Sequence, residues 1–178
     1  FTHLAQQAKV EPDPAVANFL SDKLDYRVSA AARRLRVDKV VEEATFVKLA
    51  GDLDVNFPRE KLAEGLEGDV VFDVSAVGRI DDEGAREWTA FMQVVSSHVT
   101  HLYLRDCPPG FVERLFTPEA LAGKAEVISF FMPFKCPKCA TSAAQRVMTE
   151  EHYDVLKFAT SPEFTCSECG TKAPSVAS

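Results

Sequence analysis

The sequence predicts an α/β fold, in which a mixed β-sheet with helices is followed by a small carboxyl-terminal β module held by cysteines. Three observations support this prediction. Apolar runs of strand length alternate with segments of helical periodicity along most of the chain. Of the 178 residues, 46% are hydrophobic and 26% are charged, which is enough apolar material for a core. Four of the five cysteines form two closely spaced pairs near the carboxyl end.

The composition and the amino terminus argue against several classes of function. The net charge of -7 provides no general attraction to nucleic acid or to an anionic membrane. No apolar run approaches the roughly 20 residues that span a bilayer. No secretory signal is visible at the amino terminus, so a cytoplasmic protein is expected. The first residue is Phe1 rather than Met, which suggests a processed or trimmed chain.

Residues 1–32 are predicted to form a helical extension. Asp13 and Pro14 are a suitable cap and first helical residue, and apolar residues follow at helical spacing from Val16 to Leu24. This helix either docks on the following domain or binds a partner, and the spacing does not decide between the two. The only basic concentration follows at Arg27 to Lys39 and is interpreted as a solvated face.

Residues 33–132 are predicted to alternate between strands and helices. The apolar run Val70–Phe72 is typical of a strand that is buried on both faces. Asp81 or Asp82 can cap a helix whose apolar stripe includes Trp88. The predicted elements are, in order, a strand hairpin over 35–49, a helix over 58–66, a strand over 69–74, a helix from 81 or 82, a strand over 102–104, a helix over 111–121 and a strand over 125–131. The first hairpin should be antiparallel, and helical crossovers should join the later strands.

The two cysteine pairs, Cys136-Pro-Lys-Cys139 and Cys166-Ser-Glu-Cys169, predict a metal site. Two thiolates three positions apart can face one point from a tight turn. Two such turns supply four tetrahedral ligands, at about 2.3 Å, for one structural Zn²⁺. Four thiolates leave no open position for water, so a catalytic zinc is not expected. Two disulfides or a redox dithiol are the alternative, and the lack of a secretory signal disfavours it.

The surroundings of the cysteine pairs favour a small zinc ribbon over residues 133–178. Phe134 and Phe164 each lie two residues before a pair, and Gly170 supplies conformational freedom after the second. Residues 134–172 contain five basic and five acidic side chains, a balance that does not favour contacts with phosphates. The isolated Cys107 is expected to be a small buried hydrophobe and not a ligand.

The sequence contains no arrangement typical of an enzyme. His3, His98, His101 and His152 lie in no recognisable nucleophile or metal motif, and the eight glycines form no phosphate-binding loop. The acidic residues near the predicted strand ends lack a companion lysine or hydroxyl motif. The protein is therefore not expected to be an enzyme.

Four short motifs over about residues 34–131 occur in the order and at the separations of a known family. They are Leu49-Ala-Gly-Asp-Leu-Asp54, Val70-Val-Phe-Asp-Val-Ser75, Ile80-Asp-Asp-Glu-Gly84 and His101-Leu-Tyr-Leu104. Together they resemble the STAS domain of bacterial anti-sigma factor antagonists. The resemblance implies a STAS-like sheet and a non-enzymatic protein. Such a protein binds a partner through the loop before its second helix. The partner is a regulatory kinase, an anti-sigma-like factor or an assembly subunit.

The same resemblance implies which residues bind the partner. They are Arg79, Asp81, Asp82, Glu83, Gly84 and Arg86. Switching members of the family carry a phosphorylated serine where this chain has Asp82, so a phosphoserine switch is not expected here. Either the acidic loop imitates a phosphorylated state, or the surface serves a different, unswitched partner. The second is preferred, because a carboxylate carries less charge than a phosphate. These acids also suit a simple capping role.

The sequence therefore predicts a regulatory or scaffold protein in three parts. Residues 1–32 are the helical extension, 33–132 the STAS-like domain, and 133–178 the zinc ribbon with a short tail. Its expected cofactor is one structural Zn²⁺, and its expected partner is a protein. The alternative is a module that binds nucleic acid or the transcription machinery through the ribbon and the Arg27–Lys39 patch.

Overall fold

The computed structural model describes residues 34–158 and 160–174. The helical extension predicted over residues 1–32 lies outside the described residues, as do Arg27 and Arg33 of the basic patch. Among the described residues, the strands are β1 (Arg36–Val41), β2 (Thr45–Leu53), β3 (Gly68–Ile80), β4 (Val99–Arg105), β5 (Glu126–Val127), β6 (Ser129–Lys135), β7 (Ser142–Met148), β8 (Glu163–Thr165) and β9 (Lys172–Pro174). The helices of this part of the chain are α1 (Arg59–Ala63), α2 (Asp82–Ser96), α3 (Pro109–Leu115) and α4 (Tyr153–Leu156).

The first five strands form one mixed sheet in which spatial order follows chain order. β1 and β2 pair antiparallel as a hairpin, and each later pair is parallel. A tight turn cannot join parallel neighbours, and α1, α2 and α3 lie in the connections between them. The predicted mixed α/β sheet, with an antiparallel first hairpin and helical crossovers, is confirmed.

Helices α1, α2 and α3 pack against one face of this sheet. Side chains along β2 alternate between buried and more exposed positions, as expected when only one face meets the helices. Trp88 of α2 is fully buried, and its ring meets Phe72 and Phe111 edge to face at centroid distances of 6.0 and 5.2 Å. Its indole Nε1 donates a hydrogen bond to the carbonyl of Ala120 at 3.1 Å. The indole N–H is therefore paired although it is buried, and the ring contact with Phe72 anchors α2 on the sheet.

Several elements differ in length from their predictions. α3 ends at Leu115 and not near residue 121, because Pro118 lacks an N–H group and its ring clashes inside a helix. α1 also ends earlier than predicted. β3 continues from its predicted end at Val74 to Ile80, because its pairing with β2 resumes after each of two register shifts and reaches Leu53. This extension places the end of β3 beside the end of β2, where the acidic loop begins.

The strand predicted over residues 125–131 is divided between two sheets. Only β5 joins the five-stranded sheet, whereas β6 begins at Ser129 and pairs antiparallel with β7. At the end of β4, Asp106 accepts a hydrogen bond from Ser129 Oγ at 2.8 Å and pairs with Arg146 Nε at 2.6 Å. Ser129 and Asp106 are buried, and buried polar groups need such partners. This network ties the start of the cysteine-containing segment to the end of β4.

Cys107 is buried, in agreement with its prediction as a small hydrophobe. Its N–H donates to the carbonyl of Ser129 at 3.1 Å, and its carbonyl accepts from the N–H of Phe131 at 2.8 Å. Burial, and then the neighbouring Asp106 carboxylate, raise the pKa of the Cys107 thiol to about 12. A thiol held in this protonated form is chemically inert.

Candidate functional site

The four paired cysteines converge on one point. The Sγ atoms of Cys136, Cys139, Cys166 and Cys169 all lie within 4.8 Å of one another. The Cys136–Cys169 and Cys139–Cys166 pairs of Sγ atoms are each 3.5 Å apart. Four sulfurs at about 2.3 Å from a tetrahedral zinc are roughly 3.8 Å apart, so the donor set fits such an ion. The four cysteines can therefore hold a metal ion.

Each cysteine pair lies in the same kind of turn between two short strands. Cys136 N–H donates to the Thr141 carbonyl at 2.8 Å, and the carbonyl of Cys136 accepts from the N–H of Ala140 at 3.0 Å. The second turn repeats both bonds around Cys166, at 2.9 and 2.9 Å. Ala140 and Gly170 occupy equivalent positions, with φ of 59° and 68°. Gly170 adopts this left-handed conformation freely, as predicted, whereas alanine is strained there.

Two threonines that the sequence analysis did not single out complete the cysteine centre. Thr141 Oγ1 lies 3.2 Å from Cys139 Sγ, and Thr171 Oγ1 lies 3.3 Å from Cys169 Sγ. Hydrogen bonds from the Thr141 side chain and backbone lower the pKa of the Cys139 thiol to about 6. Thr171 likewise lowers the pKa of Cys169. Because metals bind thiolates, both threonines favour the ligating form. The repeated pattern Phe-x-Cys-x-x-Cys-x-Thr could have identified them.

Replacing Thr141 with valine is expected to weaken metal binding while the fold is retained. Valine has nearly the same shape but cannot hydrogen-bond the Cys139 sulfur, and loss of an outer-shell partner typically costs about 10–100-fold in metal affinity. Competition with a chromophoric chelator measures this affinity directly.

The matched control for that experiment is Thr160→Val, since Thr160 is exposed within the same segment and its hydroxyl donates to the Phe158 carbonyl at 3.4 Å, away from the cysteines. It should bind metal as the unmodified chain does. Equal affinity in the Thr141→Val and Thr160→Val proteins would contradict a supporting role for Thr141.

A small second core lies under the two cysteine turns. The rings of Phe134 and Phe164 meet edge to face, with centroids 6.0 Å apart at 84°. Both rings are buried together with Val147, Cys136 and Cys166. Two of these buried residues are candidate ligands, so the apolar core by itself is small. A metal ion at the cysteines would therefore contribute much of the stability of this segment.

The acidic loop lies at the amino-terminal end of α2. Asp81 is its N-cap, and Asp81 Oδ1 accepts a hydrogen bond from the Gly84 N–H at 2.8 Å. Asp82 and Glu83 occupy the first turn, where carboxylates stabilise the positive end of the helix dipole. The proposed capping by Asp81 is thus present, and it leaves Asp82 and Glu83 available for other contacts.

Two arginines pair with the exposed acids of this loop. Arg114, from α3, reaches Asp82 Oδ1 at 2.8 Å, and its Nε donates to the Ile80 carbonyl at 3.2 Å. Arg86 pairs with Glu83 one helical turn away. Arg114 was not identified from the sequence, because it lies 32 residues beyond Asp82. Both ion pairs are largely solvent-exposed, so they orient the carboxylates and add little stability.

Close backbone packing positions the loop against the end of β2. The N–H of Asp81 donates to the Leu53 carbonyl at 3.2 Å. The α-carbon of Gly84 faces the same carbonyl so closely that a β-carbon there would overlap the backbone of Leu53 and Asp54. Arg79 is held through its N–H, which donates to Asp52 Oδ1 at 2.9 Å. The structure thus brings all six predicted partner-binding residues to one region at the end of β3 and the start of α2.

The fold and these two regions define the class of the protein coarsely: it is a mixed α/β protein with a four-cysteine site that can hold a metal ion. No protein-family model matches the chain, and no curated protein matches it. Among solved structures, it is similar to the anti-sigma factor antagonist SpoIIAA in its unphosphorylated form. The two share 15% identity over 70% of this chain and 96% of that chain, with a TM-score of 0.37. Membership of the STAS family therefore stays a prediction from the sequence.

Among the described residues, no helix has both the length and the apolar character needed to cross a membrane.

Proposed function

We propose that the chain is a non-enzymatic regulatory or scaffold protein that binds a protein partner through the surface around residues 79–86. We further propose that one structural Zn²⁺ at the four cysteines keeps the carboxyl-terminal ribbon folded. Four convergent thiolates support zinc, because tetrahedral sulfur sites select Zn²⁺ or iron over oxygen-preferring cations. When bound, the ion would supply a closed cross-link between the two turns and no open coordination position.

The arrangement of charge at the start of α2 supports this partner surface. The side chains of Asp82 and Glu83 are 83% and 56% exposed, yet each is oriented by an arginine. Their backbone is fixed by the Asp81 cap and by the contact between Gly84 and Leu53. Exposed charges that are already ordered lose little entropy on binding, which favours their use in recognition. Asp82 and Glu83 thus form an ordered acidic rim, and this rim is the observation that carries the proposal.

The chemistry at position 82 supports a partner that does not depend on phosphorylation there. Asp82 has no hydroxyl group to accept a phosphate, and its carboxylate already pairs with Arg114 at 2.8 Å. A phosphate would present more charge and more acceptor oxygens than this single carboxylate. The surface therefore suits a constitutive partner whose contact region carries basic side chains.

Reversing the charge of the acidic rim is expected to weaken partner binding. The double variant Asp82→Arg and Glu83→Arg removes both carboxylates and places two cations at the positive end of α2. Complementary basic groups on the partner would then be repelled, and binding should weaken at least about tenfold. The measurement is affinity capture from extract by the full chain, followed by titration of each recovered protein against both forms.

The matched control is Glu67→Arg. Glu67 is exposed and directly precedes β3, at the opposite end of that strand from the acidic loop, so this variant should retain the partner. Complexes that are lost on nuclease treatment, or that depend on Arg34 and Arg36 but tolerate both rim changes, would contradict the proposal. Such a result would support a nucleic-acid or transcription-machinery module instead.

A further inference from the structure

The five-stranded sheet has a second face, opposite the one that the helices cover. The core beneath α1, α2 and α3 contains the inward side chains of the strands. Residues alternate between the two faces along each strand, so the register places two rows of side chains on the other face, called the outer face below. They are an apolar row of Val40, Phe46, Val71 and Tyr103, and a charged row of Asp38, Lys48, Asp73 and Arg105.

The apolar row is a continuous stripe across β1 to β4. Val40 pairs with Phe46, Phe46 with Val71, and Val71 with Tyr103. Val40 and Phe46 remain 54% and 42% exposed, and Val71, although buried, belongs to neither hydrophobic core. The stripe is therefore most exposed at β1 and β2, and an apolar stripe with charged neighbours is typical of a protein contact surface.

The charged row identifies what this surface fits. Read from β1 to β4, its charges alternate as minus, plus, minus, plus, from Asp38 through Lys48 and Asp73 to Arg105. A second copy can face this one across a two-fold axis that runs parallel to the strands and passes over the outer face between β2 and β3. The charged row of the second copy then lies opposite the first row in reverse order. Every position then meets its opposite charge: Lys48 meets Asp73 of the other copy, and Asp38 meets Arg105.

The same rotation also matches the apolar row with itself. Phe46 comes to face Val71 of the other copy, and Val40 comes to face Tyr103. Packed sheets lie about 10 Å apart, a distance that side chains of these lengths fill from both sides. Because the strands of packed sheets cross at roughly 30°, the two central contacts, Phe46 with Val71 and Lys48 with Asp73, should align best.

We propose that two copies of this chain associate through their outer faces as a two-fold symmetric dimer. The surface is self-complementary in the sense that such an isologous contact requires. Within one chain, Arg105 and Asp73 already form an ion pair at 3.8 Å. Surface pairs of this kind contribute little, so their side chains can also serve the second copy. The dimer face is separate from the surface around residues 79–86, and the test of the dimer is independent of partner capture.

Sedimentation velocity of the full chain over a range of concentrations tests the apolar contact. The unmodified chain should change from monomer to dimer as concentration rises. Phe46→Glu should raise the dissociation constant at least about tenfold, because it places a carboxylate inside the stripe. Val94→Glu is the matched control: Val94 is 45% exposed and belongs to α2, on the helical side of the sheet, and its dimer should be unchanged.

A charge-exchange experiment tests the symmetry itself. Lys48→Glu alone and Asp73→Lys alone each give a homodimer with two repulsive central contacts, and both should be monomeric. An equimolar mixture of the two variants allows a heterodimer in which both central contacts are attractive again. Each variant carries the same internal charges alone and mixed, so recovery in the mixture reports only the contact between copies.

Three outcomes would overturn the proposal. They are a monomer at every concentration, a dimer that Phe46→Glu leaves intact, and a mixture that stays monomeric while a dimer of the unmodified chain exists. In the first of these cases, binding of some other protein to the outer face would show that the charged row serves a different occupant.

Discussion

Replacing Cys166 with serine is expected to release the metal ion and to unfold the ribbon, while the five-stranded sheet stays folded. Serine removes one of four thiolates, and the small core beneath the turns contains Cys166 itself. Structural zinc contributes about 10–16 kcal/mol in isolated zinc-finger peptides, so this single change should have the largest effect in the molecule. Elemental analysis should find one zinc per unmodified chain and none bound to the variant.

Hydrogen exchange locates the unfolding and provides the control. Protection should be lost in β6 to β9 of the Cys166→Ser protein but kept in β2, β3 and α2. The matched variant is Cys107→Ala, because Cys107 is buried outside the cluster and should leave the zinc content unchanged. A folded, unmodified protein that contains no metal after purification, or iron in place of zinc, would contradict the proposed cofactor.

Replacing Gly84 with alanine is expected to produce the second large effect. In an ordinary helix this change stabilises by about 0.5–1 kcal/mol, but here the new β-carbon would overlap the carbonyl of Leu53. Backbone cannot move aside as a flexible side chain can, so α2 must shift away from β2. Forced overpacking of this kind costs about 1–3 kcal/mol. The midpoint of urea unfolding should fall, and partner capture through the acidic rim should weaken with it.

The same substitution at Gly110 is expected to have the opposite effect on stability. Gly110 lies in the first turn of α3, and a β-carbon at this position would point into open space, with no other part of the described chain within 4 Å beyond its sequence neighbours and its own helix. Gly110→Ala should therefore raise the unfolding midpoint slightly, since it reduces the freedom of the unfolded chain. Equal unfolding midpoints for the Gly84→Ala and Gly110→Ala proteins would contradict the close contact between α2 and β2.

Local sequence patterns were sufficient to predict the order of the elements and the four-cysteine site. The hairpin at β1 and β2 follows from two apolar runs around a polar turn, and the Asp81 cap follows from its position before an amphipathic segment. The predicted cysteine centre depended only on spacing within each turn, and its four sulfurs do converge. The earlier end of α3 also has a local cause, because Pro118 lies within the predicted helix.

Long-range pairing decided the features that sequence patterns missed. Arg114 reaches Asp82 only because α3 returns to the carboxyl end of β3. The division of the strand predicted over residues 125–131 depends on which neighbours accept its hydrogen bonds: β5 pairs with β4, whereas β6 pairs with β7. An apolar run looks the same in either sheet, so the run itself does not indicate which of its residues pair with β4 and which pair with β7.

The sequence by itself determined the α/β order, the helix cap and the donor set for a metal ion. Each of these depends on residues a few positions apart, whose relative placement the backbone limits to a few geometries. Only the tertiary structure decided that Gly84 touches Leu53, that Arg114 orients Asp82, and that four strands align the charges of the outer face. Those contacts depend on strand order and register, which are set by the packing of the whole sheet.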